Sequence, residues 1–413
     1  MVDLDINGER LLASLQELGR IGALEGGGVC RLALTDEDRA GRDWVVAQMK
    51  ALGMSVSVDG IGNVVGVYGG REDAPPVMAG SHIDTVRTGG LYDGNYGVLA
   101  GLEVVRALRD AGMRTRKPLA VAFFTNEEGS RFAPDMMGSL VFEGGLALES
   151  ALETKGIDGT TVRENLDRIG YRGSAPTGAM QVDSYVELHI EQGPVLDIEK
   201  TTIGAVEGVQ GISWTEFTIS GVSNHAGTTP MRLRHDAGHV AARVACFARE
   251  LARELGGDQV ATVGSITVFP NLVNVIPNRV VFTVDLRNTD EEILRLAEQR
   301  LWAYADEAAA AEGTQISHRS LARFEPVAFH PELVDMVEQT ARGMGYSVRR
   351  LPSGAGHDAQ ILARTCPAAM IFVPSVGGLS HNVREHTEAG DLVAGARVLL
   401  RVLMHLANQQ PNR

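Results

Sequence analysis

The residues of this chain best equipped for chemistry are His82, Asp84, Asp93, Glu127, Glu128, His189 and His381. Imidazole nitrogens and carboxylate oxygens are the ligands that zinc and similar divalent ions accept. Three imidazoles and two carboxylates, one of the carboxylates shared, suit that chemistry and leave Glu127 over as a base. Taken singly, each residue has an ordinary use: a hydrogen-bonded ring, a turn former, a solvated pair after a strand. A His-x-Asp after one apolar run and adjacent glutamates after the next are harder to dismiss together. They read as a two-metal hydrolase.

The elements around these residues explain how they could meet. Pro76 to Gly80 reads as a buried strand, with His82 and Asp84 directly after it. Gly89 to Asn95 forms a glycine-rich turn, and Tyr96 to Ala111 carries apolar residues at helical spacing until Gly112 stops it. Leu119 to Phe124 is a continuous apolar run of the kind covered on both faces, followed by Asn126, Glu127 and Glu128. Strand, helix, strand is a parallel crossover, and the carboxyl ends of such strands share the sheet edge where α/β proteins build their sites. Tyr185 to Gln192 alternates like another strand, with His189 near its end. Ala368 to Val373 is a further short strand, followed by a glycine-rich turn and His381.

Composition narrows the class. With 413 residues the chain exceeds one ordinary core, so two domains are expected. The net charge of -14 is spread along the chain, with no basic stripe and interleaved aromatics, which argues against nucleic acid. The stretch Met1-Val2-Asp3-Leu4-Asp5 lacks a positive region backed by an apolar one, and no run reaches membrane-spanning length. No membrane association and a cytoplasmic location are expected. Cys30, Cys246 and Cys366 show no paired spacing and read as buried packing in a reducing compartment.

After Gly211 the rhythm changes. Ser213 to Ser220 alternates like a half-exposed antiparallel strand; a helix at Asp236 to Leu255, strands at Ala261 to Val268 and Arg279 to Leu286, and a helix at Asp290 to Ala311 follow. That order is the order of a small α+β sandwich. Phe324-Glu325-Pro326 reads as the return crossing. The fold expected is therefore α/β: a mostly parallel-sheet catalytic domain, residues 1–211 and 326–413, interrupted by an α+β sandwich lid, residues 212–325.

The whole chain resembles the hydantoinase/carbamoylase branch of the dinuclear zinc aminoacylase and carboxypeptidase superfamily. The resemblance is carried by Gly80-Ser81-His82-Ile83-Asp84-Thr85, Gly89-Gly90 to Asp93-Gly94, Glu127-Glu128-Gly129-Ser130-Arg131-Phe132 and Glu187-Leu188-His189-Ile190-Glu191-Gln192-Gly193. Further on, Asn224-His225-Ala226-Gly227-Thr228-Thr229-Pro230-Met231, Asn274-Val275-Ile276-Pro277, Gly354-Ala355-Gly356-His357-Asp358 and Ser380-His381-Asn382 match the carbamoylase branch itself.

The resemblance implies one cation on His82, Asp93 and His189 and a second on Asp93, Glu128 and His381, most simply zinc, with manganese or cobalt satisfying the same ligands. It implies that Asp84 orients His82 through the ring's second nitrogen, and that Glu127 takes the proton of a water acidified by both ions. It also implies a homodimer formed through the lid, with His225 reaching the partner subunit's metals and donating to the oxyanion. Arg287, whose fork suits a carboxylate, and Asn274 are then substrate contacts. On pattern alone these three read as a turn residue, an edge salt bridge and a capped loop.

Two motifs invite misreading. Gly354-Ala355-Gly356-His357-Asp358-Ala359 has dinucleotide-fingerprint spacing, but Ser347-Val348-Arg349-Arg350 before it is too polar for the strand that motif requires. Gly356 is read instead as a backbone contact to substrate at the start of the next helix. His235 and His239, four apart, read as a solvent-facing pair near Arg232 and Arg234. Gln192 is a further expected substrate contact. The activity implied is hydrolysis of an N-carbamoyl-L-amino acid to amino acid, ammonia and carbon dioxide, with allantoate or β-ureidopropionate as alternative substrates.

Overall fold

The computed structural model describes residues 4–178 and 180–410. In chain order the strands are β1 (Ser55–Val58), β2 (Val64–Tyr68), β3 (Val77–His82), β4 (Leu119–Phe124), β5 (Ser184–Ile190), β6 (Ile203–Val209) and β7 (Gly211–Ser220). They continue as β8 (Val260–Phe269), β9 (Arg279–Asn288), β10 (Gln315–Phe324), β11 (Val327–Ala328), β12 (Val348–Ser353) and β13 (Ala368–Val373). The chain forms two compact units, one of Met1–Gly208 with Ala328–Arg413 and the other of Val209–Val327.

The first unit is built on a sheet ordered β1-β2-β4-β3-β5-β13-β6-β11, with β12 attached to β6. Its centre is parallel: β3 pairs with β4 and β5, and β5 with β13, while β2 and β6 flank it antiparallel. Every residue of β3, β4, β5 and β13 is buried. That is why β4 and β13 are continuous apolar runs, and why β5 departs from the alternation expected of it. Its Glu187 and His189 are as buried as their apolar neighbours, held by bonds described below. β12, polar as its sequence is, sits off the parallel centre, which excludes the fingerprint reading of the glycines after it.

The helix Asn95–Asp110 packs on β3 and β5 and is itself covered by the helices Gly8–Gly19 and Ala389–Asn408. Close approach is possible because Gly97 has no side chain. A Cβ there would lie 2.5 Å from the Leu188 carbonyl oxygen and 3.1 Å from the Ser81 Cβ.

The second unit is an antiparallel sheet ordered β10-β7-β9-β8 with two helices, Ala237–Leu255 and Glu291–Glu312. Phe217, Phe282, Val240, Val244, Leu294 and Leu301 form its separate core. The side chains of Asp236 and Asp290 accept backbone N–H groups at the two helix starts, caps worth about 1 kcal/mol each. Since Asp236 is the cap, His235 precedes the helix and does not share a helical face with His239; both are exposed. The cysteines also differ from expectation: Cys366 is buried, Cys30 half-buried and Cys246 exposed. Among the described residues no helix is long and apolar enough to cross a membrane.

Gly97→Ala is expected to destabilise the protein by about 1–3 kcal/mol, the usual cost of overfilling a packed contact, read by urea unfolding. Gly343→Ala, near the end of the helix Pro331–Gly343 with nothing within 4 Å of its would-be Cβ, should be neutral or stabilising. Equal effects would contradict the close helix–sheet packing.

Candidate metal centre

The parallel centre brings the polar strand ends to one edge of the sheet. His82 closes β3, Glu127 and Glu128 follow β4 by a short turn, and His189 is the penultimate residue of β5. His381 arrives on the loop after β13, and Asp93 on the turn before Asn95–Asp110. Three groups of potential ligand atoms result among the described residues: Glu187, His189 and His357, and a pair made of His82, Asp93 and His189 and of Asp93, Glu128 and His381. Asp93 belongs to both members of the pair. Its Oδ1 lies 3.6 Å from His82 Nε2 and 3.2 Å from His189 Nε2. Its Oδ2 lies 3.4 Å from His381 Nε2, which is 3.3 Å from Glu128 Oε2. Tetrahedral ligands on bonds of 2.0–2.1 Å stand about 3.3–3.4 Å apart, so the donor spacing suits such an ion.

The rings are aimed by backbone. His82 Nδ1–H donates to the Asp84 carbonyl oxygen and His189 Nδ1–H to that of Ile190, both at 2.9 Å, which turns each Nε2 toward Asp93. Asp84 meets His82 at the ring's second nitrogen through its backbone carbonyl rather than its carboxylate. The carboxylate instead accepts the backbone N–H groups of Glu127 and Glu128, each at 3.3 Å, and so fixes the turn that presents both glutamates. Gly94, at φ +65, must be glycine, since a Cβ there would lie 2.4 Å from the His82 ring. His82 and His189 are nearly inaccessible, whereas the His381 side chain is 52% exposed. One ligand group therefore lies at the floor and the other at the rim.

Arg31, wholly buried, staples the two ligand segments together. It donates to the Ile83 carbonyl and to Asn95 Oδ1, each at 2.7 Å, and to the carbonyls of Leu18 and Ile21. Burial lowers its pKa to about 10, against the pull of Asp38 and Asp84.

The electrostatics are those of a site short of positive charge. Burial would lower the His82 pKa, but Glu127, Asp93 and their acidic neighbours raise it well above the usual imidazole value. Hydrogen bonds to Asp93 and Glu128 push His381 up to about 10. Burial opposes ionisation of Asp93, yet the three histidines hold it well below the ordinary carboxylate range. Glu127 goes the other way: burial, opposed by His82 and reinforced by Asp358, Glu128 and Asp84, raises it well above its normal value. Its Oε2 is 3.4 Å from His82 Nε2, and it belongs to neither ligand group.

A cavity of about 110 Å³ opens on these atoms, lined also by Asp135, Gln192, Ala355, Gly356 and His357. Gln192, at φ +59, donates from Nε2 to Asp93 Oδ2 and Ser380 Oγ, and its buried Oε1 has no hydrogen-bond partner. His381 is likewise left-handed, at φ +53. Such strain costs of order 1–3 kcal/mol and persists where surroundings enforce it. The N–H of Ala359, at the start of the short helix after Gly356, is spent on Glu187 Oε2, so any substrate contact at Gly356 belongs to the loop rather than to the helix end.

Several residues escaped sequence reasoning. Beneath the floor, Glu187 accepts Ser81 Oγ–H at 2.7 Å, and the neutral ring of His357 packs edge-on to His189 at 4.7 Å. Asp358 is buried beside them. Glu385 accepts the backbone N–H groups of Tyr92 and Asp93, and burial together with Asp93 raises its pKa to about 7. Glu187, His357 and Asp358 stand inside recognisable motifs, which was an available signal; Glu385 had none.

The second unit holds the remaining three. His225 Nδ1 accepts the N–H groups of Gly227 and Thr228 at 3.1 and 3.2 Å, so the neutral ring carries its proton on Nε2 and presents a donor. The Asn274 carbonyl accepts the Ala226 N–H at 3.0 Å, pairing the two loops. Arg287 on β9 is gripped by Asp285 two residues earlier on the same strand face, Nη2 to Oδ2 at 2.9 Å.

A discontinuous α/β unit with a His/Asp/Glu double ligand group at the ends of its parallel strands, interrupted by an α+β unit, defines the class of metal-dependent hydrolases. The model of the Peptidase family M20/M25/M40 matches residues 78–405. An N-carbamoyl-L-amino-acid amidohydrolase of Rhizobium meliloti is 42% identical over 97% of both chains, and an allantoate amidohydrolase of Bacillus subtilis is 35% identical over 95% of this chain and 96% of its own. The crystal structure of an amidase of the hydantoinase/carbamoylase family from Burkholderia multivorans superposes with a TM-score of 0.96 at 46% identity, covering 98% of this chain and 99% of that one. The chain belongs to the M20/M25/M40 family and, within it, to the hydantoinase/carbamoylase amidases.

Because His381 holds a proton up to about 10 in the metal-free protein, a cation entering the rim group must displace it. Zinc affinity, measured by chelator competition, should therefore rise between pH 7 and 9 by roughly tenfold per unit for each proton released. A flat profile would contradict the ligand role of His381.

Proposed function

We propose that this chain hydrolyses the carbamoyl C–N bond of N-carbamoyl-L-amino acids, releasing the amino acid, ammonia and carbon dioxide. The observation that carries the reading is Glu127: a buried carboxylate in the cavity, outside both ligand groups, with its basicity raised. A general base works best when its pKa lies near the working pH, and burial moves Glu127 in that direction.

Two divalent cations, zinc by donor chemistry with manganese or cobalt also acceptable, would be held by His82, Asp93 and His189 and by Asp93, Glu128 and His381; they supply Lewis acidity toward the ureido carbonyl and acidify water. Glu127 receives the proton of the attacking water and returns it to the leaving nitrogen. The orphan Oε1 of Gln192 and the loop at Gly356 offer polar contacts to the ureido group. Arg287 and Asn274 are assigned to the substrate carboxylate, Asp285 holding the Arg287 fork meanwhile. His225, with its Nε2–H presented, is assigned to the oxyanion. A homodimer formed through the second unit and a cytoplasmic location complete the reading.

Allantoate pairs a carboxylate with ureido groups as well, and the likeness to an allantoate amidohydrolase keeps it as the second substrate; β-ureidopropionate is a third. Ammonia release from a panel of N-carbamoyl-L-amino acids, allantoate and β-ureidopropionate, with and without chelator, ranks the three. Activity on N-carbamoyl-L-amino acids that survives complete metal removal would overturn the mechanism. Glu127→Gln should keep its metal while turnover falls by about 10²–10⁴. Arg287→Ala is expected to act mainly through a higher KM, the signature of a lost binding contact.

A further inference from the structure

We propose that Glu385 is a positioning residue of the metal centre, clamping the segment that carries Asp93 to the segment that carries His381 and thereby setting the affinity of the rim ligand group. The inference rests on the two-cation reading above.

A carboxylate shared by two cations must present its oxygens in two fixed directions, and free rotation about its side chain would spoil that. Oδ1 of Asp93 faces the floor histidines, which their strands and carbonyl bonds hold in place. Oδ2 faces His381, which stands on a loop. What fixes this outer half is a partly buried cluster. Gln192 Nε2–H donates to Oδ2 at 3.1 Å, and Ser380 Oγ lies 3.3 Å from Oδ2 and 3.4 Å from Glu385 Oε2, its one proton serving either carboxylate. Glu385 Oε1 accepts the backbone N–H groups of Tyr92 and Asp93 at 3.1 and 3.2 Å.

The glutamate is 4% exposed, and the loop is shaped around it. A Cβ at Gly90 would lie 2.0 Å from Glu385 Oε1. Any side chain at position 90 would therefore evict the carboxylate. Glu385 also belongs to the turn after His381, its own N–H donating to the Asn382 carbonyl at 2.9 Å. One side chain thus ties two rim ligands that are nearly three hundred residues apart in sequence. The floor group shares Asp93 but depends on the clamp less, because its other two ligands, His82 and His189, are aimed from β3 and β5. Asymmetry between the groups follows. Polar partners behind metal ligands typically change affinity by 10–100-fold when removed.

The test is zinc titration of the metal-free full-length protein, by calorimetry with a competing chelator, on wild type, Glu385→Ala, Glu385→Gln and Ser380→Ala, with His381→Ala marking which affinity class is the rim. Glu385→Ala should weaken the rim class by 10–100-fold and leave the floor class within about threefold. Glu385→Gln should stay within a few-fold of wild type, since its amide oxygen can accept both N–H groups. Ser380→Ala should weaken the rim class by a smaller factor. Rim affinity unchanged in Glu385→Ala, both classes weakened alike, or Glu385→Gln as weak as Glu385→Ala would overturn the proposal. If Glu385→Ala fails to fold by circular dichroism, Ser380→Ala decides, and an unaltered rim class then overturns it. A wild type that binds fewer than two zinc ions would instead defeat the two-cation reading itself.

Discussion

Burying carboxylates is costly unless something positive or hydrogen-bonding meets them, and at the carboxyl ends of β3, β4, β5 and β13 this chain gathers Asp84, Asp93, Glu127, Glu128, Glu187 and Asp358, with Glu385 behind them. Most of the local architecture answers that cost. Asp84 is met by the N–H groups of Glu127 and Glu128, Glu385 by those of Tyr92 and Asp93, and Glu187 by Ser81 and the N–H of Ala359. Asp93 is met by three imidazoles. What remains is a surplus of negative charge facing one cavity, and divalent cations are the simplest species that would balance it.

The compensation is graded from floor to rim. At the floor, strand residues with backbone-anchored rings leave little freedom: His82 and His189 are held by carbonyls that their own strand ends supply. At the rim, Glu128 and His381 come from loops, and the backbone there is bent into left-handed conformations at Gln192 and His381. A rigid floor with a loop-built rim concentrates strain where substrate must enter, the usual place for it.

The second unit solves a different problem. Its core of Phe217, Phe282 and the inward faces of two capped helices is self-sufficient, so the insertion can fold around its own sheet without drawing on the parallel centre. Polar residues on its loops and outer sheet face, His225 with a defined tautomer and Arg287 held in a fork, are thereby kept in fixed local geometry without being buried.

Much of this was legible in the chain before any coordinates. β4 and β13, buried on both faces and apolar throughout, could be read to the residue, and the βαββαβ order of the insertion followed from its change to alternating apolar positions. The ligand types at strand ends limited the chemistry to divalent cations. Tertiary structure alone decided the rest. A carbonyl oxygen exists at every position, so nothing in residue type says that the backbone of Asp84 rather than its side chain aims His82. The burial of Glu187 within β5, the placing of His235 outside its helix, the exposure of Cys246 and the clamp made by Glu385 likewise depend on which distant backbone groups come within 3 Å or so. Such contacts are set by loop paths and strand order, which local sequence does not encode.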